Sequence, residues 1–149
     1  MNEFDTLLHV VTRFIHIISA ILLLGGAFYA RQVLTPVLNT LPEDKRMQTA
    51  AGAQLRYRTT LFTLVALSLL SGVYNFMQTP HSRQYHIAFG IKMLAVLHIY
   101  ATVVLWATSP YGDVDLAGKH KRRLISITIA GIVVVLISAY LRSLSMPGF

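Results

Sequence analysis

The chain has 149 residues, of which 54% are hydrophobic and only 13% charged, with a formal net charge of +7 and no cysteine. That length predicts one domain over 1–149, and a chain so poor in charge cannot cover itself in water, where about a quarter of residues are charged on average. The absence of cysteine excludes disulfides, thiolate zinc sites, iron–sulfur clusters and a cysteine nucleophile.

Met1-Asn2-Glu3-Phe4-Asp5 is acidic and lacks the basic n-region of a signal peptide, so the first hydrophobic run is expected to be retained. That run, about 8–30, is the first of four; the others cover about 59–77, 87–108 and 124–141. Each is near the ~20 residues that cross a hydrocarbon core of about 30 Å. A spanning segment must satisfy its own backbone polar groups, so these runs are expected to be helices. The predicted fold is all-α, a polytopic membrane protein built as a four-transmembrane-helix bundle.

In the first span His9, Arg13 and His16 recur at spacings of four and three, which puts them on one helical face flanked by Thr12, Ser19 and Ala20. The segment after it carries Arg31, Lys45, Arg46, Arg56 and Arg58. Within it Thr40-Leu41-Pro42-Glu43 fits a capping box with proline early in the first turn. A cytoplasmic helical extension over about 42–58 is therefore expected to run unbroken into the second span, which Gln78-Thr79-Pro80 ends. In the second span Ser68 and Gly72, and in the fourth Ser126 and Ala130, are small residues spaced for close helix approach.

The third span carries Lys92 and His98, with Ala95, Ala101 and Thr102 leaving space beside His98, and Ser109-Pro110-Tyr111-Gly112 ends it. Lys119-His120-Lys121-Arg122-Arg123 precedes the fourth span, and His120 reads there as a solvated member of a basic run. Tyr29, Tyr57, Trp106 and Tyr111 read as an aromatic belt at that edge, and Tyr74, Tyr85 and Tyr140 as its counterpart at the other.

Nine of the eleven basic residues outside the helix interiors lie in the two intervening loops, leaving only Arg83 and Arg142 on the opposite side. This asymmetry predicts a multi-pass protein of the cell (inner) membrane with both basic loops in the cytoplasm and both termini outside it. The positive charge then meets anionic lipid headgroups; no reader motif accompanies it, so nucleic acid is not an expected partner.

Ionisable groups inside a membrane are costly and turn to the bundle interior. Arg13 and Lys92 need anionic partners, yet no Asp or Glu lies in any span. His16 lies eight residues from the outer edge of its span and His98 eleven from the edge of its own, or roughly 12 and 16 Å at 1.5 Å per residue. Two imidazoles at nearly one level suit a b-type haem with axial His16 and His98, its propionates turned outward to Arg13 and Lys92. His9 and His86, at the outer interface, are alternative ligands. A copper site is the second reading, with Met77, His81, His86 and Met146 as soft and imidazole donors on the outer side. The third is a cofactor-free structural or assembly subunit, alone, as a homo-oligomer or in a larger membrane complex.

Arg13-Phe14-Ile15-His16-Ile17-Ile18-Ser19-Ala20, followed by Gly25-Gly26 and Arg31, resembles the first helix of the CopD-like membrane domains and of the related HemJ-type protoporphyrinogen oxidases. Phe89-Gly90-Ile91-Lys92-Met93-Leu94-Ala95-Val96 resembles their third helix. The resemblance implies a four-helix membrane bundle and, on the HemJ side, a b-type haem held by His16, with Lys92 and Arg31 as further functional positions. Ile21-Leu22-Leu23 stands where that pattern has a tryptophan, and the fourth helix lacks an Asn-Glu-x-Pro element; these departures bear on porphyrinogen oxidation and not on haem binding. The expected function is membrane redox chemistry: electron transfer, or oxidation linked to a quinone or porphyrin. If the chain is an enzyme, it is a membrane oxidoreductase with no catalytic acid–base pair visible in the sequence.

Overall fold

A computed structural model describes residues 3–78, 83–109 and 114–145, with nothing said of the side chains of 83, 114–118 and 144–145. The described chain is helical throughout: α1 (Glu3–Tyr29), a π-helical turn (Ala30–Leu34), α2 (Thr35–Leu38), α3 (Glu43–Met77), α4 (Arg83–Thr108) and α5 (Val114–Ser145). Four helices are long and apolar enough to cross a membrane: Glu3–Leu38, Glu43–Met77, Gln84–Thr108 and Lys119–Ser143. The chain is thus an all-α membrane bundle of four spans. Large apolar side chains such as Phe14, Leu70, Leu94 and Leu136 are exposed around its outside, as lipid contact requires.

The first helix runs further than its hydrophobicity suggests. Pro36 lacks an N–H and its ring crowds the carbonyl four residues back. The backbone meets this with the wider turn over Ala30–Leu34, in which the Thr35 N–H bonds to the Ala30 carbonyl. Thr35 Oγ1 donates to the same oxygen at 2.7 Å. The helix then continues through Pro36 to Leu38.

The helix expected from Pro42 into the membrane is present as α3, 35 residues long. Its capping box is not. Pro42 is itself the N-cap, in an extended conformation, and no side chain caps the first turn. Thr40 Oγ1 instead donates to the Val37 carbonyl at 2.8 Å, closing α2. α5 likewise starts well before its hydrophobic run and carries the basic segment within its first turns.

α1 packs broadly on α3 and α4 on α5, while narrower α3–α4 and α1–α5 contacts close the bundle. α1 and α4 stand diagonally opposed. The buried apolar core, which includes Leu23, Ala27, Leu61, Leu64, Val103, Trp106 and Ile127, lies in the half nearer the basic loops. Here Gly26 lets the Tyr57 ring lie against α1, and Gly131 takes the Leu24 side chain. Tyr57 and Trp106 therefore belong to the interior packing and not to an interfacial belt, whereas Tyr29 is exposed as a belt residue would be. Tyr111 lies outside the described residues.

The C-terminal end of α4 is tied to both neighbours. Gln54 Nε2 from α3 donates to the Trp106 and Ser109 carbonyls. Arg123 Nη1 from α5 donates to the Leu105 carbonyl at 3.0 Å and to Ser109 Oγ at 2.6 Å. Helix ends leave carbonyls without intrahelical partners; Gln54 supplies donors to two of them, and Arg123 adds to the bonds at the Leu105 carbonyl. His120, expected to be solvated, is instead only 3% exposed: the early start of α5 turns it inward beside its exposed neighbours Lys119 and Lys121.

Candidate functional site

The inward stripes of α1 and α3 change character along the bundle. On α1 the order is His9, Thr12, His16, Ser19, Leu23, Ala27; on α3 it is Asn75, Ser71, Ser68, Leu64, Leu61, Tyr57, Gln54. Steps of three and four keep each set on one face. Because the two helices are antiparallel, the polar portions meet at the end of the bundle where α1 begins.

His16 is the centre of that polar half. Its Nδ1 lies 2.9 Å from the Ser68 carbonyl oxygen and 3.3 Å from Ser71 Oγ. A carbonyl oxygen only accepts, so Nδ1 carries the proton and Nε2 keeps its lone pair. The ring lies over Gly72, where a Cβ would stand 2.9 Å from Cε1 and 3.2 Å from Nδ1. The small pair Ser68 and Gly72 thus serves the imidazole as much as the helix approach. From α4, the Tyr100 hydroxyl donates to Ser68 Oγ at 2.9 Å. One turn toward the helix start, Thr12 Oγ1 is 3.3 Å from Asn75 Oδ1. Further out, His9 Nδ1 is buried and has no hydrogen-bond partner among the described residues.

Lys92 is half-buried on α4, about two turns before Tyr100. Glu43 and Arg46 form an ion pair at the far end. Lys92 adds positive charge to the polar half.

The other expected site residues fall elsewhere. His98 is exposed on the α4–α5 seam, its Nε2 2.7 Å from Ser126 Oγ. His16 and His98 thus turn to different seams of the bundle, and the described residues do not bring them together. Arg13 is exposed on the outside of α1, not beside His16. Arg31 sits in the π-helical turn at the opposite end of the bundle, fifteen residues from His16, or roughly 22 Å along a helix. Met77 and His86 are exposed, and His81 and Met146 lie outside the described residues. Among the described residues no three His, Asp or Glu side chains gather as a metal cluster.

Ser71, Asn75 and Tyr100 were not singled out by sequence reasoning, and Ser68 only as half of a close-approach pair with Gly72. Their signal is present: polar residues at 68, 71 and 75 continue the spacing of Leu61 and Leu64 on a helix that otherwise reads as lipid-soluble. Comparisons with family models, with curated proteins and with solved structures return no match.

Proposed function

We propose that the chain is an integral membrane b-type haem protein of electron transfer, with His16 as its axial ligand and a membrane-dissolved quinone as the class of redox partner. The observation that carries this reading is the orientation of His16. An Nδ1–H held by a backbone carbonyl fixes the tautomer, aims the ring and raises the basicity of Nε2, the arrangement that metal-bound histidines adopt. Ser68 supplies that carbonyl. Two further features support it. Lys92 offers a cation to a propionate among hydrophobic runs (8–30, 59–77, 87–108 and 124–141) that contain no carboxylate, and the resemblance of the Arg13–Ala20 and Phe89–Val96 segments to CopD-like and HemJ-type helices points to the same histidine. The donor set fits a haem with one protein ligand. When bound, haem supplies a one-electron couple at its iron; the chain's part is to bind it, hold its ligand and set the charge around it.

The finer placement belongs to the same proposal: a cell-membrane protein with both termini outside the cytoplasm, the proposed haem site nearer that outer face. The test is an optical spectrum and pyridine haemochrome assay of protein purified after haem-replete expression. His16→Ala is expected to abolish bound haem and His98→Ala to retain it. Wild-type protein with no Soret band ends the haem reading. Equal loss in both variants restores a bis-histidine site, which requires His98 to leave Ser126.

A further inference from the structure

The polar half of the bundle demands more hydrogen bonds than its own side chains supply. Ser19 is 1% exposed and its Oγ has no partner among the described residues. His9 Nδ1 is in the same position. Lys92 brings three N–H donors and finds no carboxylate. Each such group costs several kcal/mol in hydrocarbon when unsatisfied, and intramembrane ionisable groups characteristically face water-filled cavities. In the other half the same two stripes become Leu23, Leu61 and Leu64, all buried in the apolar core.

We infer that the polar half is a one-sided aqueous vestibule: water enters between α1, α3 and α4 at the end where α1 begins, reaches His16 and Ser19, and is stopped by Leu23, Leu61 and Leu64. Polar sites with several partners per molecule hold water, while apolar ones stay dry. Water then reaches His16 from the side that carries the N-terminus and not from the side of the basic loops. The titratable groups in this half are His9 and His16 on α1, Tyr74 on α3 and Tyr85, Lys92 and Tyr100 on α4, with Glu3, Asp5, Arg13 and His86 exposed; α5 contributes Tyr140 and Arg142, both exposed near its end. Glu3 and Asp5 stand exposed in the first turn of α1, while Lys92 is half-buried, so the inner part of the vestibule favours anions over cations. The inference does not need haem: it rests on the stripes of α1 and α3, and haem content is measured separately on each preparation.

The chain has no cysteine, so a single substituted cysteine is its only thiol. Only a water-exposed thiol ionises and reacts readily. Ser71→Cys and Asn75→Cys, in full-length protein reconstituted into liposomes, are treated from each side with a membrane-impermeant methanethiosulfonate, anionic or cationic. Leu70→Cys is the control, since Leu70 adjoins Ser71 but is 70% exposed on the lipid face. Expected is modification of both test positions from the N-terminal side, about tenfold or more faster than Leu70→Cys, with the anionic reagent ahead at Ser71→Cys and Leu64→Cys inert from both sides. Ser71→Cys reacting no faster than Leu70→Cys overturns the vestibule, and Leu64→Cys reacting from either side overturns the seal. In unsubstituted protein, magnetisation transfer from water to the His16 ring in solid-state NMR is expected, and its absence refutes water at His16.

Discussion

The Nδ1–H of His16 and the carbonyl oxygen of Ser68 meet at 2.9 Å across the α1–α3 seam. This bond joins a side chain of one span to the backbone of another, so the ring's direction depends on how closely the helices approach. Gly72 sets that approach.

Gly72→Ala places a methyl 2.9 Å from Cε1 of the ring, and the imidazole must shift. The expected outcome is weakened haem retention with about 1–3 kcal/mol of lost stability, read by haemochrome assay and thermal unfolding in detergent. Gly25→Ala, where a Cβ meets nothing within 4 Å, should leave both unchanged. Full haem content in Gly72→Ala would show that the ring's seat does not matter.

Gln54→Leu removes the donor for the Trp106 and Ser109 carbonyls. Stranding buried acceptors costs about 1–3 kcal/mol, so the unfolding midpoint should fall while haem content holds. An unchanged midpoint would mean that the end of α4 finds other donors.

At Gly26 a Cβ would overlap the Tyr57 hydroxyl and press on its ring. Gly26→Ala should therefore destabilise the bundle by about 1–3 kcal/mol. Tyr57→Phe in the same chain should recover part of this, and a double-mutant cycle by thermal unfolding measures the coupling. Strict additivity would deny the contact.

His120 is buried at the start of α5. His120→Ala should lower stability by about 1–3 kcal/mol, the usual range for emptying a buried position, and leave haem binding intact, since His16 lies in the other half. Behaviour like that of the exposed Lys119→Ala would contradict its burial.

Orientation is a separate question from fold. Alkaline phosphatase fused after Phe149 should be active and a fluorescent protein at the same place dark, because the basic residues concentrate in the two loops. The reverse pattern would move the vestibule mouth to the cytoplasm.

The four spans were legible because a bilayer demands about twenty apolar residues in a row, and Ser68–Gly72 was legible as a close-approach pair. Helix ends were less so. Hydropathy stops at Ala30 and resumes near Leu124, whereas backbone hydrogen bonding carries α1 to its π-helical turn and starts α5 among charged residues. The capping box failed because Thr40 found a nearer acceptor in the Val37 carbonyl. His16 was found because an imidazole in a span is conspicuous. Its partners were not, since serine and tyrosine are common in membranes and gain meaning only when the register of two helices is known. For the same reason His98 looked equivalent to His16: depth follows from counting residues, but the direction of a side chain around the helix depends on which neighbour packs there.

The apolar core, confined to one half, also implies uneven resistance to opening. Protein regions with few buried apolar contacts open at low free energy, and those dense in them open only with the whole molecule. Around Leu61, Val103 and Ile127 four helices share one interior, while beyond Ser68 the contacts between α3 and α4 include the stacked rings of Phe76 and Phe89, 4.1 Å apart. Amide hydrogen exchange is therefore expected to be slowest around this core and faster toward the end where α1 begins.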